Sequence, residues 1–208
     1  HDTVFWYYYL NHPVIKERIR KNESFGVICY GKVYRKDEID RNHTNVFHQI
    51  GGLYLAPDNL KTVTPEDLKG VLSDIARNIF GNDVKFRFYE HTFPYTDPSF
   101  EMEAEIASQW VEMLGSGLPR KNVLSNFGLH SYNGWAFGFG LDRLAMASME
   151  LLDIRLLWSQ DERIKRQLKL GNKFREVSKF PPITRDVSFV VDNDFVPNNY
   201  FDLIRDLG

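Results

Sequence analysis

The chain has 208 residues, 43% hydrophobic and 26% charged, with a formal net charge of −2. This composition excludes disordered, collagen-like and coiled-coil classes, and the length allows one full domain with a smaller piece beside it. A single cysteine, Cys29, excludes an internal disulfide and a cysteine-based zinc site; no apolar run approaches the roughly 18–20 residues that span a bilayer.

Residues 27–35 (VICYGKVYR) are β-branched and aromatic and predict a strand. A polar stretch follows, then a second strand at 46–55 (VFHQIGGLYL), so the pair reads as a long-looped antiparallel hairpin. On the second strand Phe47, Gln49, Gly51, Leu53 and Leu55 share a face by the period of two. A glutamine and a glycine are unusual on a core face, and the glycine leaves room for something to approach the backbone. The clearest helix is 65–80. Thr64 caps it, Pro65 takes its first position, Asp67 completes a Thr-x-x-Asp box, and Leu68, Val71, Leu72, Ile75 and Ile79 follow the 3.6-residue period up to Gly81. A further strand is predicted at 84–89 (VKFRFY).

In HTFPYTDPSFEMEAEI, Pro94 and Pro98 favour extended backbone, and Glu101, Glu103 and Glu105 alternate with Phe100, Met102, Ala104 and Ile106. Three carboxylates on one strand face need a cation or basic side chains beside them. Either a Mg²⁺–phosphate site or a solvent-facing strand edge satisfies that pattern. Residues 134–149 (GWAFGFGLDRLAMASM) change from a glycine-rich strand to a helix at Leu141, with Leu141, Leu144, Ala145 and Ser148 on one face and Arg143 in the first turn. Free N–H groups, the helix dipole and a guanidinium together favour an anion there. Two arginines on separate elements with carboxylates suit a nucleoside triphosphate and its metal, although neither a P-loop nor a dinucleotide fingerprint is present. From Arg163 to Arg185 eight basic residues face one acid, Glu176, which suggests a local polyanionic partner.

These segments resemble a family. GKVYRKDEIDRNHTNVFHQIGGL is similar to motif 2 of class II aminoacyl-tRNA synthetases in the form of the phenylalanine enzymes. FPYTDPSFEMEAEI, WVEMLGSG and GWAFGFGLDRLAM resemble later segments of those enzymes, the last being motif 3, and DIRLLWSQDERIKRQ resembles the stretch after it. KFPPITRDVSFVV resembles the start of a ferredoxin-like anticodon-binding domain, an order similar to the single-chain organellar phenylalanyl-tRNA synthetases. The resemblance implies an α+β fold, a class II antiparallel sheet flanked by helices. It also implies a catalytic domain over 1–177, lacking a motif 1 region, and a partial anticodon-binding domain over 178–208. The abrupt passage into motif 2 after Lys21 and the short anticodon part are expected of ordered segments from a longer chain.

By that resemblance the substrates are phenylalanine, ATP with Mg²⁺, and tRNA(Phe), in a mitochondrion or other organelle and otherwise in the cytoplasm; the apolar pattern and the lone cysteine themselves predict no membrane and no disulfide partner. Arg35 would hold the α-phosphate and carboxylate, and Arg143 would clamp the triphosphate; both are the expected catalytic residues. Asp37 and His43 would line the ATP site and Phe47 would stack on adenine. Gln49 would bind the amino group, Phe93 and Tyr95 would wall the substrate ring, and Ala136 and Gly138 would floor its pocket. Asp97 and Glu101 would support Mg²⁺, and Lys179 and Arg185 would meet tRNA. Two positions depart from the family pattern: Gly51 stands where a glutamate is usual, and Tyr95 where phenylalanine is usual. A non-catalytic relative that binds tRNA or a partner through the same fold is the alternative.

Overall fold

Alternating apolar residues in six segments need a common surface on which to be buried, and in the computed structural model they obtain it by pairing into one antiparallel sheet. The structure describes residues 3–36, 38–106, 109–169, 171–181, 183–186 and 188–207. Two compact units are formed, residues 1–175 and 176–208.

The first unit opens with helices α1 (Thr3–Asn11) and α2 (Pro13–Arg20). Strands β1 (Phe25–Tyr34) and β2 (Val46–Pro57) then form the expected hairpin. Helix α3 (Pro65–Phe80) has the bounds its pattern predicts. Its capping box is reciprocal: the Asp67 N–H donates to Thr64 Oγ1 at 3.2 Å, and the Thr64 N–H donates to Asp67 Oδ2 at 2.8 Å. Strands β3 (Phe86–His91), β4 (Thr96–Ile106) and β5 (Gln109–Pro119) follow, then the short helix α4 (Lys121–Ser125), strand β6 (Tyr132–Gly140) and helix α5 (Leu141–Met149). A 3-10 turn over Ile154–Trp158 and a short helix α6 (Glu162–Lys165) end this unit's regular structure. The strand order is β1-β2-β6-β5-β4-β3, so the glycine-rich β6 inserts between the hairpin and the three-strand meander.

Each face of the sheet carries its own core. On one, Leu68, Leu72 and Ala76 of α3 pack on Phe100, Met102, Ala104, Leu114, Phe137 and Phe139. On the other, Trp6 and Leu10 of α1 pack with Leu53, Leu55, Leu124, Leu129 and Ala136. β3 begins two residues later than its apolar pattern suggests. The chain turns at Pro94–Tyr95 rather than running extended through both prolines. In α5 the buried positions are Asp142 and Met149, whereas the expected stripe of Leu141, Leu144, Ala145 and Ser148 is only half-buried. A carboxylate takes the inward place because it has a backbone partner there, the N–H of His48.

The second unit contains helix α7 (Pro197–Leu207) and a small aromatic cluster in which Phe189 lies 5.1 Å from Tyr200 and 6.1 Å from Phe195. Among its described residues there is no strand. An extended segment needs a neighbouring strand for its amides, and about thirty residues supply none.

Candidate active site

The register of β2, β6 and β5 creates an opening in the sheet's surface. Gly51 faces Gly138, and Gly138 faces Gly115, so three adjacent strands carry no side chain at the same level on the α1 side. Cys29 and Glu101 continue that row on either side. The cavity above it has a volume of about 250 Å³. Its walls include Arg35, Phe47, Gln49, Phe93, Tyr95, Glu101, Glu112, Ala136, Gly138, Asp142 and Arg143. Nine residues singled out in the sequence therefore meet at one place, although they come from β1–β2, β3–β4, β6 and α5.

One wall is aromatic. Phe93 and Tyr95 stack with their centroids 5.9 Å apart and planes within 5°, and Trp6 meets Tyr95 edge-on at 6.1 Å. Phe93 reaches this place because position 115 is glycine; a Cβ there would come within 2.7 Å of its ring. His91 flanks Phe93 at 4.5 Å and its Nδ1 lies 3.3 Å from Glu101 Oε1. Ala136 lies on the floor, and Leu53 beside it is fully buried.

The opposite wall is cationic. Arg35 leads out of β1, donates through Nε to the Thr44 carbonyl at 3.3 Å, and lays its guanidinium 4.6 Å from the Phe47 ring centre. Arg143 pairs with Glu112 at 2.7 Å and lies 3.4 Å from His43 Nε2. His43 Nδ1 is 3.1 Å from Asp40 Oδ1, so the carboxylate takes the Nδ1–H and leaves Nε2 to accept from the arginine. The backbone N–H of Asn42, then the His43 side chain, hold the Asp40 carboxyl below its ordinary range.

Between the walls lies Gln49. Its Oε1 is buried and, among the described residues, has no hydrogen-bond partner. Such an acceptor is uncommon in a folded chain and calls for a donor from outside it.

Other expected residues lie elsewhere. Asp97 is exposed and borders a separate depression with Arg120 and Lys121, so it does not join Glu101 at the cavity. Asp37 falls outside the described residues. On the three-carboxylate face of β4 two of the acids belong to a cross-strand ion-pair ladder: Arg87 meets Glu103 at 2.7 Å and Lys85 meets Glu105 at 2.8 Å. Lys179 and Arg185 are exposed in the second unit; Lys179 is 3.9 Å from Glu176. Sequence reasoning missed Glu112, Gly115, His91 and Asp142. The Gly-Ser-Gly at 115–117 and the acid next to Arg143 were available signals, but each needed the register to give it a neighbour.

No helix among the described residues is long and apolar enough to cross a membrane. The family described as tRNA synthetases class II core domain (F) matches residues 1–168. The chloroplastic/mitochondrial phenylalanine–tRNA ligase of Arabidopsis thaliana is 39% identical over 203 residues, covering 92% of this chain and 47% of that protein. The mitochondrial phenylalanine–tRNA ligase of Mus musculus is 34% identical, covering 87% of the chain and 48% of that protein. A bacterial phenylalanine–tRNA ligase alpha subunit, from Clostridium beijerinckii, is 42% identical over 74% of the chain and 49% of the subunit. The chain thus spans about half the length of the curated relatives it matches.

Proposed function

Because the chain belongs to the class II tRNA synthetase core family, we propose that it supplies the amino-acid-activating site of a phenylalanine–tRNA ligase of the organellar kind. The reaction is attack of the phenylalanine carboxylate on the α-phosphorus of ATP. It gives phenylalanyl-adenylate and pyrophosphate, and the acyl group then passes to tRNA(Phe). The observation that carries this reading is the unpaired Gln49 Oε1, set between an aromatic wall and two arginines. An amino acid with a flat apolar side chain offers one group to each: its ammonium to Gln49, its ring to Phe93 and Tyr95, and its carboxylate to Arg35.

The protein's contribution is positioning and charge neutralisation. Arg35 would neutralise the α-phosphate as the carboxylate approaches, and Arg143, held by Glu112 and His43, would meet the outer phosphates. Adenine would stack on Phe47, displacing the Arg35 guanidinium that covers the ring. Tyr95 would close the ring pocket from the side of Trp6. Glu101 and Glu112 border the cavity with oxygen donors, which suits Mg²⁺. Among the described residues no group of three or more His, Cys, Asp or Glu forms a metal cage, so the ion would be shared with the nucleotide phosphates. Bound there, Mg²⁺ would spread the charge that develops on the leaving pyrophosphate.

The organellar assignment rests on the relatives' compartments. Lys179, Arg185 and the basic residues before them would contact the tRNA backbone, and the 178–208 segment would be the first part of an anticodon-binding domain. The test is ATP–pyrophosphate exchange with phenylalanine and, in parallel, tyrosine. Exchange with phenylalanine is expected, and its absence together with absent phenylalanine binding would overturn the reading. Preference for tyrosine would re-aim it to the larger ring.

A further inference from the structure

The two arginines of the cavity stand on different elements, Arg35 at the end of β1 and Arg143 on α5, and one buried carboxylate joins α5 to β2, the strand paired with β1. The β2–β6 ladder reaches Gln49 opposite Gly140, where β6 gives way to α5. The next amide along β2, that of His48, has no β6 residue opposite it in the ladder. Asp142, in the first turn of α5, meets it: Oδ2 accepts the His48 N–H, and Oδ1 lies 3.3 Å from His48 Nδ1. The Asp142 side chain is 9% exposed. Gly140, the N-cap of α5, has no side chain to cap with, and the carboxylate two residues on is bonded to the strand. The His48 ring is held from its other side by Trp158, stacked at 5.7 Å and 12°.

We propose that Asp142 is a positioning residue for nucleotide binding, fastening the start of α5 to β2 and so fixing Arg143 relative to Arg35 and Phe47. Asp142 and Arg143 are consecutive on one helical turn. While one carboxylate grips β2, the adjacent guanidinium extends to Glu112 and His43. Releasing the grip lets the helix start move, and the Arg143 head group then no longer arrives where the phosphates are held. Misplacements of about 1 Å cost such sites up to roughly a hundredfold. Phenylalanine, held by Gln49 and the aromatic wall, does not depend on that turn.

This inference rests on the proposed ATP role of Arg143, and the experiment separates the two. Equilibrium titration with ATP–Mg²⁺ and, separately, with phenylalanine is run on the unaltered chain, Asp142→Ala and Asp142→Asn, alongside thermal unfolding. Asp142→Ala is expected to weaken ATP roughly tenfold or more while phenylalanine affinity stays within about twofold. Asp142→Asn keeps an acceptor for the His48 N–H and is expected to restore most of the ATP affinity. If Asp142→Ala does not fold, Asp142→Glu, one methylene longer, serves instead and is expected to weaken ATP alone. Unchanged ATP affinity in the folded variants overturns the positioning role. So does a parallel loss of both ligands, which marks general loosening. An unaltered chain that does not bind ATP overturns the function it rests on.

Discussion

The same six strands present two faces, and these do different things with alternate residues. Toward α3 the sheet shows Phe100, Met102, Leu114, Phe137 and Phe139, closed over by Leu68 and Leu72, which have no exposed surface. Toward α1 the same strands show Gly51, Gly138, Gly115, Gln49 and Glu101, and the core closes only at one end, around Leu53 and Leu55. The α3 face holds the strands in register, and the other face can then leave an opening without the sheet collapsing into it. A cavity floored by glycines contributes little burial, so its stability must come from the opposite side.

That division is open to direct test. The largest effect is expected from Leu72→Ala, which opens a void under α3 and should lower unfolding free energy by about 2–5 kcal/mol in denaturant titration. Next is a pair of glycines. A Cβ at Gly52, on the α3 face, would lie 2.4 Å from the Phe137 ring, and Gly52→Ala should cost about 1–3 kcal/mol. Gly115→Ala, on the cavity face, should cost less because Phe93 can swing aside, but it should weaken phenylalanine binding. Equal stability losses with unchanged binding would break the comparison.

A smaller effect concerns the cap of α3. The Asp67 carboxyl is lowered to about 2 by the Thr64 backbone N–H, then by Lys61 and the Thr64 hydroxyl. Its folded pKa lies below the unfolded value of about 3.9. Its stabilisation is therefore present above about pH 4 and is lost as pH falls toward 2. Asp67→Asn should remove that part of the acid slope in unfolding measured between those values. The smallest stability change is expected from Gln49→Leu, under about 1 kcal/mol, because an acceptor without a partner contributes nothing to hold the fold. The same change should abolish measurable phenylalanine binding by titration, and retained binding would remove Gln49 from the site.

The local elements were legible because their signals are short-range. Thr64, Pro65, Asp67 and Gly81 bound α3 by backbone chemistry within a few residues, and the switch at Leu141 is a change of period. Arg35, Phe47, Gln49 and Arg143 were legible as chemistry on those elements and through the family resemblance. The β4 carboxylates were not separable in the sequence: only the register shows that Arg87 and Lys85 neutralise two of them while Glu101 reaches the cavity.

What the sequence determined by itself was that the segments of β1 to β4 and β6 are strands and those of α3 and α5 helices, where α3 begins and ends, and which residue types are available for binding an amino acid and a nucleotide. The tertiary structure alone decided that three glycines from three strands fall in one row, that Phe93 lies over Gly115, and that Asp142 meets the last unpaired amide beside β6. The reason is physical: propensity and capping act within one turn or one strand, whereas a cavity is the absence of side chains at a place fixed by strand register. Register is set by long-range pairing of β2, β6 and β5, which no local pattern specifies.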